Sequence, residues 1–376
     1  MKASLAVLFV AIALQGLAQP GWDWAELSGM PEPVANNAVT HGCCGDTLCA
    51  YSFTGIDSTL TPSGIHLKAW RYNTVNQSWT QLPHVPDSDG KIAAGASTVN
   101  NKIYVIGGHY VEDNFSEVTS DDIHVFNPKT NSWEAEGANI SVTIDDQVQV
   151  AYRDSLILVI TGWSDNTNVN DIQIYNPEFD SWEFGTETPN LNVYKAFGAS
   201  GEIVGDAIFY LGGVNSTTFT SNGILRRGII DPIDPTTITW SQAETFPYGD
   251  AYRAAAATWL DRVFWIGGAG TSYNFDALLY ANGSVVPPEY RIATYYSSSA
   301  IWEEGAGTSF GVMNLRGIAK VSDTSWIICG GMTDGQVVWD RTFLLQLDPS
   351  VGILNDLQEL RHIALIQGRL EFSPDV

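Results

Sequence analysis

Short apolar runs recur along the chain. Each stops at glycine and gives way to polar sequence rich in Asn and Asp. They read AYSFTG (50–55), IYVIGG (103–108), LILVITG (156–162), IFYLGG (208–213), VFWIGG (263–268) and WIICGG (326–331). Their last glycines, Gly55, Gly108, Gly162, Gly213, Gly268 and Gly331, lie 53, 54, 51, 55 and 63 residues apart. A second mark follows. An aromatic residue precedes a tryptophan by seven in four repeats: Tyr72/Trp79, Phe126/Trp133, Tyr175/Trp182 and Tyr295/Trp302. Repeat 4 keeps Trp240 behind an insertion, and repeat 6 has only Leu347 and Leu354 at this spacing. Apolar runs of this length, rich in β-branched and aromatic residues and bounded by turn residues, predict strands. In the second repeat AAGASTV, KIYVIGG, DIHVFNP and SWEAEG are four strands separated by turn chemistry. A period near 50 with four strands per period predicts an all-β propeller of six blades, each of four antiparallel strands. The glycines end the second strand where no side chain fits or where φ is positive. The aromatic residue and the tryptophan then sit on adjacent strands and pack as a pair.

At these residues the chain resembles the kelch-repeat family, whose mark is a Gly-Gly pair, then an aromatic residue, then tryptophan seven later. The resemblance covers all six repeats. The departures are Thr54-Gly55 and Thr161-Gly162 in place of Gly-Gly, and the degraded aromatic pairs of repeats 4 and 6. A propeller must close its ring, and repeat 6 lacks its tryptophan. WAELSGMP (24–31) resembles WTQLPHVP (79–86), so a strand from Trp24 to Leu27 is expected to complete blade 6. ILNDLQEL (353–360) is the rival for that slot. If the N-terminal strand fills it, residues from about 353 onward pack outside as a tail or an extra strand.

The first 18 residues read as a signal peptide. Lys2 is followed by the apolar run LAVLFVAIAL (5–14), with Gly16 and Ala18 in the small-residue positions. Residues 19–376 are then one propeller domain of an exported protein, secreted or periplasmic. No later run is apolar and long enough to span a bilayer. Lys+Arg 18 against Asp+Glu 42 gives −24, which argues against nucleic acid and anionic membranes as partners. Export permits disulfides. HGCCGDTLC suits a bridge across a short hairpin from Cys49 to Cys43 or Cys44, and Cys329 reads as a buried thiol. Five N-x-Ser/Thr sequons occur, at Asn76, Asn114, Asn139, Asn215 and Asn282.

Three features carry candidate chemistry. The first is a basic residue near the start of the innermost strand. Lys91, Lys195, Arg253 and Arg316 precede their glycines by 17, 18, 15 and 15 residues, with Tyr194 and Tyr252 beside two of them. Innermost strands line the channel, so these cations are candidates for an anion or carboxylate site at one mouth, or for backbone-binding structural residues. The second is the set of loops after the glycines, which share one face. There His109, Trp163, Asp165, Tyr273 and Trp339 are candidates for ligand contact, with the aromatics expected to be exposed. The third is metal. DNTNVND (165–171) alternates oxygen side chains but lacks the glycine and closing glutamate of a calcium loop. No pair of the six histidines falls beside a suitable Tyr and Cys for copper as in the kelch oxidases similar to galactose oxidase. No metal or cofactor is expected.

Two functions follow. One is a monomeric binding module that engages a glycan or a protein through the loop face. The other is an enzyme resembling the six-bladed kelch sialic acid mutarotases, in which the Lys/Arg set would hold a sugar carboxylate and Asp146 would move the proton.

Overall fold

The structure is a computed structural model that describes residues 21–348, apart from Asp113 and Ala306. The expected signal peptide, the rival strand at 353–360 and the tail lie outside the described residues. Six blades, each with four antiparallel strands, form the ring; blade 4 gains a short fifth strand, Glu244–Thr245, and blade 1 is joined in parallel by Arg316–Gly317. In blade 2 they are Gly95–Val99, Lys102–Ile106, Ile123–Asn127 and Ser132–Trp133, the four expected segments. The first strands, Ala38–Cys43, Gly95–Val99, Val148–Tyr152, Ser200–Val204, Ala255–Trp259 and Ala319–Ser322, lie against one another and line a central channel.

Burial grades outward from that channel. The first strands of blades 2 and 3 alternate buried and half-buried positions, with one face on the channel and the other in the blade. The second strands are buried almost throughout, because sheets cover them on both faces. The outer strands are largely exposed.

The aromatic marks are cross-strand partners. Tyr72 faces Trp79, Phe126 faces Trp133, Tyr175 faces Trp182 and Tyr295 faces Trp302, with ring centroids 5.3, 5.1, 5.0 and 4.8 Å apart. In blade 4 Gly228 faces Trp240, and its missing side chain makes room for the indole, which lies 6.0 Å from Tyr210. Four indoles also reach the preceding blade. The Nε1–H of Trp79, Trp133, Trp182 and Trp240 donates to the carbonyls of Ser28, Pro83, Ala138 and Thr186 at 3.0, 2.9, 2.7 and 3.1 Å.

The glycine pairs clasp successive blades. At Gly107 and Gly108 φ is 64° and 88°, and a Cβ on Gly107 would stand 2.2 Å from the Ile144 carbonyl oxygen. The Gly108 N–H donates to that oxygen at 2.9 Å. Gly55, Gly213, Gly268 and Gly331 donate in the same way to Lys91, Ala251, Val312 and Val34 of the next blade. In blade 3 the Thr161 hydroxyl makes the link instead. It accepts from Ala196 N–H at 3.0 Å and reaches the Ala196 carbonyl at 3.3 Å.

The ring is closed by the N-terminal strand. Gly21–Leu27 pairs with Thr342–Asp348 as the outer strand of blade 6. Trp22 is buried against Phe264 and Trp326, with centroids at 4.9 and 5.7 Å, and Arg341 pairs with Glu26 at 2.6 Å. In blade 1 the disulfide joins Cys44 to Cys49; Cys43 is a half-buried free thiol, and Cys329 is buried, which pushes its thiol up to about 12.

Candidate functional site

Six residues in equivalent positions, one per blade, adopt left-handed backbone where the innermost strands begin. They are Asn36, Ala93, Asp146, Gly198, Arg253 and Asn314, with φ from 47° to 67°. Five N–H to carbonyl or side-chain links join neighbours. Asn36 N–H donates to Asn314, Ala93 to the Asn36 side chain, Asp146 to Ala93, Gly198 to Asp146 and Arg253 to Gly198, all between 2.8 and 3.0 Å. The sixth link is displaced by one residue, from Leu315 N–H to Arg253 at 3.1 Å. This hydrogen-bonded ring encircles one end of the channel. Backbone in this region costs about 1 kcal/mol or more for a residue with a Cβ, and the ring bonds offset that cost.

Two of the four candidate cations meet at this ring, and the acid expected to accompany them lies between. Arg253 donates Nη2–H and Nε–H to the Asp146 carboxylate at 2.5 and 3.2 Å, and Nη1–H to Asn314 at 3.2 Å. Arg316 Nη1 is 3.3 Å from the same carboxylate, and its Nη2–H donates to the Gln147 carbonyl at 2.8 Å. Burial alone would raise the Asp146 carboxyl. The two guanidinium groups outweigh it and hold the carboxyl below its ordinary range.

The other two cations are elsewhere. Lys91 is buried in an acidic cage between blades, bonded to Asp87, to Asp122 at 2.5 Å and to Ser120 at 2.7 Å. Lys195 is half-buried and makes no ion pair among the described residues. The reason is phase. Lys91 precedes its blade's left-handed residue by two and Lys195 by three, Arg253 occupies that position, and Arg316 follows it by two. Lys91 and Lys195, at 17 and 18 residues before their glycines, stand two and three residues ahead of the ring position, which Arg253 occupies at 15; the count misleads only for Arg316, because the ring residue of blade 6 lies 17 residues before its glycine. Tyr194 and Tyr252 are buried, and their hydroxyls bind the carbonyls of Ser241 and Tyr273 at 2.7 and 3.2 Å.

The expectation of exposed loop aromatics is corrected at all three positions, Trp163 being half-buried against the loop cluster. Tyr273 is fully buried, packed on Tyr252 at 4.9 Å, and Trp339 is buried in blade 6 with its indole N–H on the Gly330 carbonyl. Asp165 is exposed in a tight hairpin turn. The oxygens of 165–171 do not converge, since Asn168 is buried and turned to the Val214 carbonyl at 2.7 Å. His109 is buried with Nδ1 3.5 Å from Asp145, which also accepts from Thr119 at 3.0 Å. Burial would lower this imidazole, but the Asp145 carboxylate prevails and lifts it to about 9. One cluster of metal-ligating type occurs among the described residues, Asp87, Asp122 and His124, and the Lys91 ammonium already binds both of its carboxylates.

Above the ring the loops form an apolar cap that includes Phe197, Tyr252, Tyr273, Met313 and Met332. From the cap an aromatic chain runs outward. Phe197 packs on Tyr252 at 6.0 Å and on Trp163 at 5.6 Å, and Phe219 packs on Trp163 at 5.8 Å and on Tyr280 at 5.0 Å. It ends at a cleft of about 610 Å³ between the loops of blades 4 and 5. Phe219 and Tyr280 form the apolar part of its wall, and Thr220, Ser221, Thr271 and Asp250 the polar part. Ser221 donates to Asp250 Oδ2 at 3.0 Å. The sequence reading stopped one loop short of Tyr280, which lies past the glycine-flanking segment in DALLYANG.

The kelch motif matches the chain over residues 93–136 and 148–189, which are blades 2 and 3. A solved structure, that of YjhT, superposes with a TM-score of 0.68 over 86% of this chain and 99% of that one, at 16% identity. The protein is a six-bladed β-propeller with kelch motifs in blades 2 and 3. No curated protein matches it. At that identity the YjhT likeness speaks for the fold of this propeller and not for its ligand.

Proposed function

We propose that the protein is a binding module that takes an uncharged glycan in the loop-face cleft between blades 4 and 5. The observation that carries this reading is the pairing in one cleft of an aromatic wall, Phe219 and Tyr280, with hydroxyls and the Asp250 carboxylate. Sugars present an apolar face of C–H groups and an equatorial belt of hydroxyls. A ring stacked on Tyr280, which is 37% exposed, would bring its hydroxyls to Asp250 and Thr271. The −24 net charge and Asp250 itself favour a neutral sugar over an acidic one. Export, expected from residues 1–18, is consistent with the Cys44–Cys49 bridge and with an extracellular glycan.

The test is a glycan array followed by titration calorimetry. Tyr280→Ala and Asp250→Asn should each weaken a neutral-glycan hit by about tenfold or more, with the native circular dichroism spectrum retained. No hit, or a hit indifferent to Tyr280→Ala, sinks the glycan reading and directs attention to a protein partner of the same loops.

The mutarotase-like reading draws support from the meeting of Arg253 and Arg316 at Asp146. It is the weaker reading. Both guanidinium groups are already bound to Asp146, the cluster lies under the apolar cap, and a carboxyl held ionised is a poor proton carrier at neutral pH. Anomer exchange of N-acetylneuraminate that is catalysed by the protein and lost in Asp146→Asn would reverse this ranking.

A further inference from the structure

The channel holds a second set of groups, at the end remote from the glycan cleft. It encloses about 210 Å³, against roughly 30 Å³ for a water in the liquid, and so has room for a small molecule. Its inner end is sealed by the ring and its residues there are buried; at the other end His41, Glu202 and Lys320 are half-buried on three different blades.

Two buried polar atoms of its lining have no partner among the described residues. One is the Arg316 Nε–H, on a side chain 5% exposed, and the other is Gln147 Oε1, on a residue 2% exposed. Orphaned buried groups of this kind are uncommon and call for an explanation. One is a donor and the other an acceptor. A hydroxyl satisfies both, accepting from Arg316 and donating to Gln147. At the open end the Lys320 ammonium makes no ion pair among the described residues. A cation unpaired at a channel mouth, in a chain of net charge −24, invites a negative group.

We propose that the channel binds a small hydroxy acid, its hydroxyl held between Arg316 and Gln147 and its carboxylate met by Lys320. This site is independent of the glycan cleft. The titratable groups on the channel wall are His41, Glu202, Lys320 and Arg316, with Asp154 acting on His41 from beyond. Burial, then Lys320, lowers His41 to about 4, so it stays neutral at working pH. Burial raises Glu202 to about 7, so above that pH its charge opposes an incoming carboxylate.

The experiment is titration calorimetry of the full chain with glycerate, threonate and gluconate. Glycerol, glucitol and butyrate serve as probes that lack one of the two groups. At least one hydroxy acid should bind about tenfold more tightly than its matched polyol and than butyrate. Lys320→Met and Gln147→Met should each remove about tenfold of that affinity, while Tyr280→Ala leaves it unchanged. Affinity should fall from pH 6 to pH 8.5, and Glu202→Gln should flatten the dependence. Lys320→Met lies at a half-exposed position and tests the site even if Gln147→Met folds poorly. If all three acids fail to bind, or bind no better than the polyols, or are indifferent to Lys320→Met, the proposal is overturned and the orphaned pair is bridged by water alone.

Discussion

Thr54 and Thr161 occupy the same place in blades 1 and 3, the first position of the glycine pair, and both are left-handed, with φ of 58° and 46°. The same substitution should move them in opposite directions. At Thr54 the interblade bond from Gly55 N–H to Lys91 is intact at 2.9 Å, and the buried Thr54 hydroxyl has no partner among the described residues. Thr54→Gly removes the left-handed cost and an unsatisfied hydroxyl, against the loss of the buried Cβ and methyl contacts and the greater unfolded-state entropy of glycine. It should raise stability by about 1 kcal/mol. At Thr161 the hydroxyl is itself the interblade link and also donates to Val169 at 2.7 Å. Thr161→Gly should therefore cost about 1–3 kcal/mol despite relieving the same backbone. Urea unfolding of the two variants beside the parent decides the matter, and a shift of the same sign in both would refute this account of the clasp.

A blade-1 hairpin shows how an element selects among residues that the sequence leaves equivalent. Cys43 and Cys44 are both within reach of Cys49 by spacing. In the observed register Gly42 faces Cys49 and Cys43 faces Leu48, so Cys43 projects from the opposite face of the hairpin. Cys44 lies beyond the strand, in the turn closed by its N–H to Thr47, and its sulfur comes round to Cys49. Cys43→Ser should leave one disulfide by thiol counting and peptide mapping, and Cys44→Ser should leave none. Recovery of a Cys43–Cys49 bridge in Cys44→Ser would show that the hairpin register slips. The same distinction explains what was legible beforehand. Strand identity, blade count and the Tyr/Trp pairs follow from periodicity and spacing, which local chemistry dictates. The site depends on phase within a blade. Arg253 lies at the ring and Lys91 does not, a difference of two residues that shows in their counts to the glycine, 15 against 17, but has no meaning until the packed blades reveal which position forms the ring. Orphaned atoms such as Arg316 Nε, or a cleft wall built from Phe219 and Tyr280 of different blades, exist only once the blades are packed.

At the scale of the whole ring, stability depends on the join between the strand that starts at Gly21 and the one that ends at Asp348. Two contacts mark the join, and they differ in kind. The Glu26–Arg341 pair is bidentate, at 2.6 and 2.7 Å, but its side chains are 50% and 40% exposed, so water screens it and about 0–1 kcal/mol is at stake. Trp22 is 9% exposed and packs edge-on to Phe264 of blade 5 and against Trp326 of blade 6, so it joins two blades as well as two strands. Truncating a buried indole costs about 3–5 kcal/mol. The closing strand also leads directly to Ser28, whose carbonyl receives the Trp79 indole N–H of blade 1, so its detachment would loosen both neighbours of the join. Trp22→Ala should therefore lower the urea midpoint far more than Arg341→Ala. Because the loosened blades share the ring of left-handed residues with all the others, one cooperative transition should persist in both variants. If Arg341→Ala costs as much as Trp22→Ala, the join is held by charge and this packing argument fails. If instead Trp22→Ala splits the unfolding into two steps, the ring at the channel mouth holds the remaining blades together without closure, and the closing strand is an appendage of blade 6.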